Sequence, residues 1–232
     1  MLQRALNKLP ITSITPFTFQ DYPEHTACIL WFSGCNMACS YCHNPELVKG
    51  ELAKLPAQQV VEFLESRKGL LEGVVLSGGE CMMSTQLPEF AGYLKSLGYK
   101  IKVDTNGTNP DMLAQMLGAG LIDYVALDFK APADLFSSIT GYDGYASFDR
   151  SLALLVASGV GLEVRTTVHA DLLDEEDINA IIRRLEDVGF KGAYYLQNFR
   201  PGKTLGNIGS PFASFDLSRL SKSSFILSTR NF

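Results

Sequence analysis

The sequence predicts an α/β fold, an open and partial barrel built from six parallel β/α units. Three observations carry this. Short apolar runs alternate with segments of helical periodicity along most of the chain. Its 232 residues suit a single domain, taken here as 1–232. Six units fall short of the eight that close a barrel, and parallel βαβ units must wind right-handed. A flat, doubly wound sheet shows the same alternation and stays open as the alternative.

The elements follow in order. Pro10, Pro16 and Pro23 interrupt the first 25 residues, so extended segments and turns are expected, with an edge hairpin or lead-in at Phe17–Pro23. Thr26 to Phe32 is a continuous apolar run, the mark of a strand buried on both faces. Val60, Val61, Phe63 and Leu64 place a helix over 57–66, and Gly73 to Leu76 is the next strand. Pro88 starts a helix that ends at Gly98, followed by a strand from Lys100 to Val103. Asn109-Pro110 reads as a cap with proline at the first helical position, ahead of Met112, Leu113, Met116 and Leu117. A strand spans Ile122 to Leu127, a helix 147–158 stops at Gly159, and a strand runs from Leu162 to Val168. Asp174 caps a helix striped with Ile178, Ile181, Ile182 and Leu185, and Ala193 to Leu196 is the last clear strand.

Composition narrows the function. A hydrophobic fraction of 46% is ample for a core. A net charge of −5, with no Lys/Arg run longer than two, argues against a nucleic-acid surface. The N-terminal residues lack a long apolar region and no 18-residue apolar span exists, so no signal peptide and no membrane association are expected. Five cysteines, three of them within eight residues, do not make a disulfide framework and suit a reducing cytoplasm. Cys28, in an apolar run, is a small buried hydrophobe.

The chemistry centres on Gly34 to Leu47, where Cys35, Cys39 and Cys42 stand four and three residues apart. That spacing lets one loop offer three thiolates to a 4Fe–4S cube, leaving one of its irons without a protein ligand. The competing arrangement is a structural Cys3His zinc site that includes His43. His43 adjoins Cys42 awkwardly for a tetrahedron, and a second Cys/His pair is missing.

This loop resembles the CxxxCxxC signature of the radical SAM (S-adenosylmethionine) superfamily, with Tyr41 in the aromatic position before the third cysteine. Polar segments follow the strands where parallel α/β folds bind ligands: Ser77-Gly-Gly-Glu80, Asp104-Thr-Asn-Gly107, Asp128-Phe-Lys130 and Gln197-Asn-Phe-Arg200. Gly78 and Gly79 would let the backbone approach a ligand, and Glu80 would accept from the methionine ammonium. Asp104, Thr105 and Asn106 offer groups for ribose hydroxyls or a cation. Lys130 and Arg165 would neutralise the methionine carboxylate, and Tyr41 would meet the adenine. The plainer structural readings are a solvated lysine at 130 and a helix-start carboxylate at 80.

Ser77-Gly-Gly-Glu80 is similar to the superfamily's GGE motif, and the 104–107 and 128–130 segments to the DTNG and DxK motifs of its glycyl-radical-enzyme activase group. Within that group the chain resembles the branch like the anaerobic ribonucleoside-triphosphate reductase activating proteins. Asp21-Tyr-Pro23, Gly34-Cys-Asn36, Tyr41 to Leu47, Lys68-Gly-Leu-Leu71, Leu173 to Asp177 and Phe199-Arg-Pro201 carry the likeness. It covers a core of about 14–205 and leaves a tail, 206–232, without an assigned role.

The resemblance implies a radical SAM core, a partial (β/α)6 TIM-like open barrel. Its cofactors would be a 4Fe–4S cluster on Cys35, Cys39 and Cys42, and S-adenosylmethionine. It implies an anaerobic oxidoreductase that cleaves S-adenosylmethionine reductively to a 5′-deoxyadenosyl radical and installs a glycyl radical in a partner, the anaerobic ribonucleotide reductase. A flavodoxin- or ferredoxin-type protein would donate the electron. Binding contacts would come from Tyr41, Ser77, Gly78, Gly79, Glu80, Asp104, Thr105, Asn106, Asp128, Lys130 and Arg165.

There are departures from the pattern. Cys81-Met82 stands where Pro-Thr is usual, and His169-Ala170 where Val-Pro-Gly is usual. Cys81 reads as a neutral substitution rather than a reactive thiol, and His169 as a loop residue. The rival functions are a radical SAM enzyme acting on a small molecule, of the 7-carboxy-7-deazaguanine synthase kind, and a non-catalytic metal module.

Overall fold

The computed structural model describes residues 6–232. All six expected strands are present: β2 (Ala27–Phe32), β3 (Gly73–Gly78), β4 (Lys100–Thr105), β5 (Tyr124–Asp128), β6 (Gly161–Val168) and β7 (Ala193–Asn198). Two more flank them, β1 (Ile11–Thr18) and β8 (Ile226–Arg230), and the eight hydrogen-bond in chain order as one sheet. The pairs β2–β3, β3–β4, β6–β7 and β7–β8 are parallel, whereas β1 is antiparallel to β2. With β1 and β8 as its two ends, the sheet is open and mostly parallel, an α/β fold.

Helices fill the connections: α1 (Pro45–Lys49), α2 (Ala57–Ser66), α3 (Leu87–Ser96), α4 (Pro110–Gly118), α5 (Ala133–Thr140), α6 (Tyr145–Ser158) and α7 (Glu175–Asp187). The α7 start is the expected Asp174 cap, whose carboxylate accepts from the Glu176 and Asp177 amides while Asp177 reciprocates. Gly159, with φ of 71°, ends α6 in the left-handed region. Among the described residues no helix is long and apolar enough to cross a membrane.

The chain divides into two compact units. The first holds the chain up to Asn36, Glu46–Thr105 and Asp111–Val125; the second holds Met37–Pro45, Asn106–Pro110 and Ala126–Phe232. In the first unit, Tyr22, Ala27, Ile29 and Val75 form a core cluster covered by Trp31 and Tyr124. The Trp31 indole donates to Thr15 Oγ1 at 2.9 Å, tying β1 to β2. In the second unit, Phe225 leads into β8 and packs edge-on against Phe190 and Tyr194. Arg230 lies 3.8 Å over the Tyr195 ring. The tail therefore supplies an edge strand that its serine-rich composition conceals.

Candidate active site

The first unit holds the start of the cysteine loop. Gly34, with φ of 93°, donates its amide to the Leu47 carbonyl at 2.6 Å. The Gly79 amide donates to Phe32 O and the Glu80 amide to Gly34 O, both at 2.8 Å. A Cβ at Gly78 would lie 2.2 Å from Phe32 O, and one at Gly79 2.1 Å from Gly34 O. The pair is thus required by the chain's own backbone, which crosses here too closely for any side chain. Gly78 and Gly79 seat the residue before Cys35.

Glu80 is buried and caps a 3₁₀ turn, Cys81–Met83. Its Oε1 accepts from the Met82 amide at 3.0 Å and from Thr105 Oγ1 at 2.9 Å. It is a helix-start carboxylate in this geometry. Asp104 accepts from Ser77 Oγ at 3.1 Å through one oxygen and from the Lys102 ammonium through the other. Lys102, absent from the expected site, is among the largest fully buried side chains of the described residues, at 1% exposure. Its sequence signal is Lys102 and Asp104 at i and i+2, the same face of an otherwise buried strand. Cys81 is also buried, its thiol 3.6 Å from the carbonyls of Leu76 and Asp104. Burial, with Glu80 and Asp104 nearby, pushes its pKa well up. It is inert, as the neutral reading of this substitution requires.

The second unit holds the rest of the loop. Ala38 donates to Thr140 O at 2.7 Å, and the Cys42 amide to Cys39 O at 3.0 Å, so Cys39 and Cys42 share one turn. Burial raises the Cys39 pKa and the nearby Lys130 charge counters it. Tyr41 is buried, and burial raises the pKa of its phenol against the pull of Lys130.

Asp128 accepts from Lys130 Nζ at 3.0 Å and from Arg165 Nε at 2.9 Å. Burial works against the Asp128 carboxylate, but Arg165 and Lys130 outweigh it and bring its pKa down to about 2. Burial likewise opposes the Lys130 ammonium, and Asp128 outweighs it, so its pKa is raised. Lys130 is therefore a paired cation and not a solvated lysine. Asn106 folds onto itself in a turn, its Oδ1 accepting from the Thr108 amide and hydroxyl at 3.1 and 2.7 Å.

All five cysteines are free thiols. Among the described residues no three His, Cys, Asp or Glu side chains gather as a ready metal cage. The fit to a cluster is one of donor chemistry. Soft thiolates suit iron–sulfur groups, two of the three share a turn, and a lysine cation near Cys39 partly offsets the burial that raises its pKa.

One arrangement escaped the sequence. The Phe199 ring stacks on His43 at 5.4 Å and 15°, and meets His169 at 4.8 Å. His169 lies in the loop between β6 and α7, as expected, but is buried, with Nε2 3.0 Å from Gly209 O.

Residues 29–188 match the family model of the radical SAM superfamily. The chain is similar to a putative glycyl-radical enzyme activating enzyme of Methanocaldococcus jannaschii, 30% identical over 203 residues, which cover 84% of this chain and 81% of that protein. It is also similar to the pyruvate formate-lyase-activating enzyme of Clostridium pasteurianum, 29% identical over 69% of this chain and 68% of that protein. Its fold is similar to that of Streptococcus suis SuiB bound to S-adenosylmethionine, with a TM-score of 0.63 and 15% identity. That match covers 88% of this chain and 52% of the SuiB chain, so the present chain spans about half of that structure. This chain belongs to the radical SAM superfamily, within its group of glycyl-radical-enzyme activating enzymes.

Proposed function

We propose that this oxidoreductase installs a glycyl radical in the anaerobic ribonucleoside-triphosphate reductase, in the cytoplasm, using an electron from a flavodoxin- or ferredoxin-type donor. The observation that carries most weight is the second unit's Cys39–Cys42 turn with the Lys130 charge beside Cys39. It sets soft thiol donors beside a cation that can meet the carboxylate of the cofactor's methionine moiety. The likeness of Asp21-Tyr-Pro23, Leu173 to Asp177 and Phe199-Arg-Pro201 to the reductase-activating branch supports the choice of partner.

The cofactors of the superfamily are a 4Fe–4S cluster and S-adenosylmethionine, and together they supply one-electron cleavage of a carbon–sulfur bond to a 5′-deoxyadenosyl radical. Cys35, Cys39 and Cys42 hold the cluster in this proposal. Glu80 and Thr105, already hydrogen-bonded to each other, receive the methionine ammonium. Lys130 and Arg165 attract the methionine carboxylate while Asp128 fixes their positions. Ser77, Asp104 and Asn106 serve the ribose, Tyr41 the adenine edge, and the Gly78-Gly79 crossing keeps Glu80 in register.

The test compares partners. Reduced, cluster-loaded protein is mixed with S-adenosylmethionine and either the anaerobic reductase or pyruvate formate-lyase. A glycyl doublet by EPR in the reductase alone is the expected outcome. A doublet in the other enzyme only, or deoxyadenosine formed with no protein radical until a small molecule is added, overturns the choice of partner.

A further inference from the structure

The segment after β7 runs from Phe199 to Ala213 and is pinned to the second unit at four places. At its start the Phe199 amide donates to Val168 O at 2.8 Å, and the ring lies between His43 and His169. Next, the Leu205 amide donates to Cys42 O at 2.9 Å and the Gly206 amide to Ser40 O at 2.8 Å. Then His169 Nε2 meets Gly209 O at 3.0 Å. Finally, Asp171 accepts from the amides of Phe212 and Ala213.

The middle contact is closely fitted. A Cβ on Gly206 would sit 2.7 Å from Ser40 Cβ and 2.9 Å from Ser40 Cα, so glycine alone lets the two backbones meet. Thr204, buried, holds the strap in shape, its hydroxyl accepting from the Ile208 amide at 3.0 Å. The strap therefore grips the cysteine loop by its carbonyls at Ser40 and Cys42, and by the ring of the residue after Cys42.

We infer that this strap is a clasp that positions Cys39 and Cys42 for loading and retaining the cluster. A loop without regular structure loses conformational entropy when it closes on a metal group. Two backbone hydrogen bonds and a stacked ring already order this loop in the protein alone, which removes part of that cost. Phe199, Leu205 and Gly206 are thus positioning residues. The inference rests on the reading of Cys39 and Cys42 as cluster ligands.

The test uses the full chain with and without reconstituted iron. In iron-free wild type, the Leu205, Gly206 and Cys42 amides should be protected from hydrogen exchange. Gly206→Val should make them exchange about tenfold faster. In reconstituted protein, chelator should strip iron from Gly206→Val about tenfold faster than from wild type. Phe199→Leu should follow the valine variant and Phe199→Tyr the wild type, which keeps the test alive if Gly206→Val does not fold. Unchanged exchange overturns the clasp, as does faster exchange with wild-type iron loss. Wild type that takes up no iron removes the ligand reading itself, and the exchange data then still report on the strap.

Discussion

Gly79 and Gly34 touch backbone to backbone: a Cβ on Gly79 would stand 2.1 Å from the Gly34 carbonyl oxygen. That contact, with the Glu80 amide bonded to the same oxygen at 2.8 Å, locks the start of the cysteine loop to the end of β3. Gly79→Ala must push the two strands' ends apart. It is expected to cost about 1–3 kcal/mol, the usual range for overpacking, read from urea unfolding of the iron-free protein. A wild-type midpoint would show that the crossing can relax.

Lys102 and Asp104 form an ion pair beneath the same region, with side-chain exposures of 1% and 15%. Lys102→Met leaves the carboxylate without its cation, and loss of one partner of a buried pair costs about 3–5 kcal/mol. Lys102→Met with Asp104→Asn should recover a large part of this. Equal stability of the single and double variants would deny the coupling.

Acid stability should report Asp128. Its carboxyl falls from 3.8 to about 2 in the folded protein, so its contribution is fully present above pH 4 and disappears as pH falls through 2. At about 1.4 kcal/mol per unit this amounts to roughly 2 kcal/mol. In the iron-free protein, Asp128→Asn should be less stable than wild type at pH 6, with the gap closing towards pH 2. A gap independent of pH would place the cause elsewhere.

Thiol accessibility sorts the cysteines. Cys35 and Cys42 are partly exposed, whereas Cys28, Cys39 and Cys81 are buried. Burial pushes the Cys28 thiol up to about 12. Iodoacetamide should label Cys35 and Cys42 of the iron-free protein first and Cys39 later, leaving Cys28 and Cys81 untouched until unfolding. Reconstitution should protect the first three together. Early labelling of Cys81 would contradict its assignment as inert.

Much of the fold was legible because its signals are local. The β2 run from Ala27 to Phe32, the Asp174 cap and the Gly159 stop each follow from a few neighbouring residues. The β8 strand was not, because Ile226 to Arg230 alternates weakly and gains its place from pairing with β7, about thirty residues earlier. Motif spacing singled out Cys35, Glu80, Asp128 and Lys130 as candidates. It gave Gly78 and Gly79 a ligand-facing purpose, whereas the structure presses them on Phe32 and Gly34. Lys102 went unnoticed because a lysine in a strand reads as exposed until the covering layer is known. The Phe199 sandwich joins residues 43, 169 and 199, a proximity that only the tertiary fold creates.

Transfer of deuterium tests the activating function most directly. The anaerobic reductase, prepared with glycine dideuterated at Cα, is mixed with the reduced, cluster-loaded protein and S-adenosylmethionine. Deuterium should appear in the 5′-deoxyadenosine, matched by a partner radical whose EPR doublet has collapsed. Deoxyadenosine free of deuterium, with no radical on the partner, would contradict it.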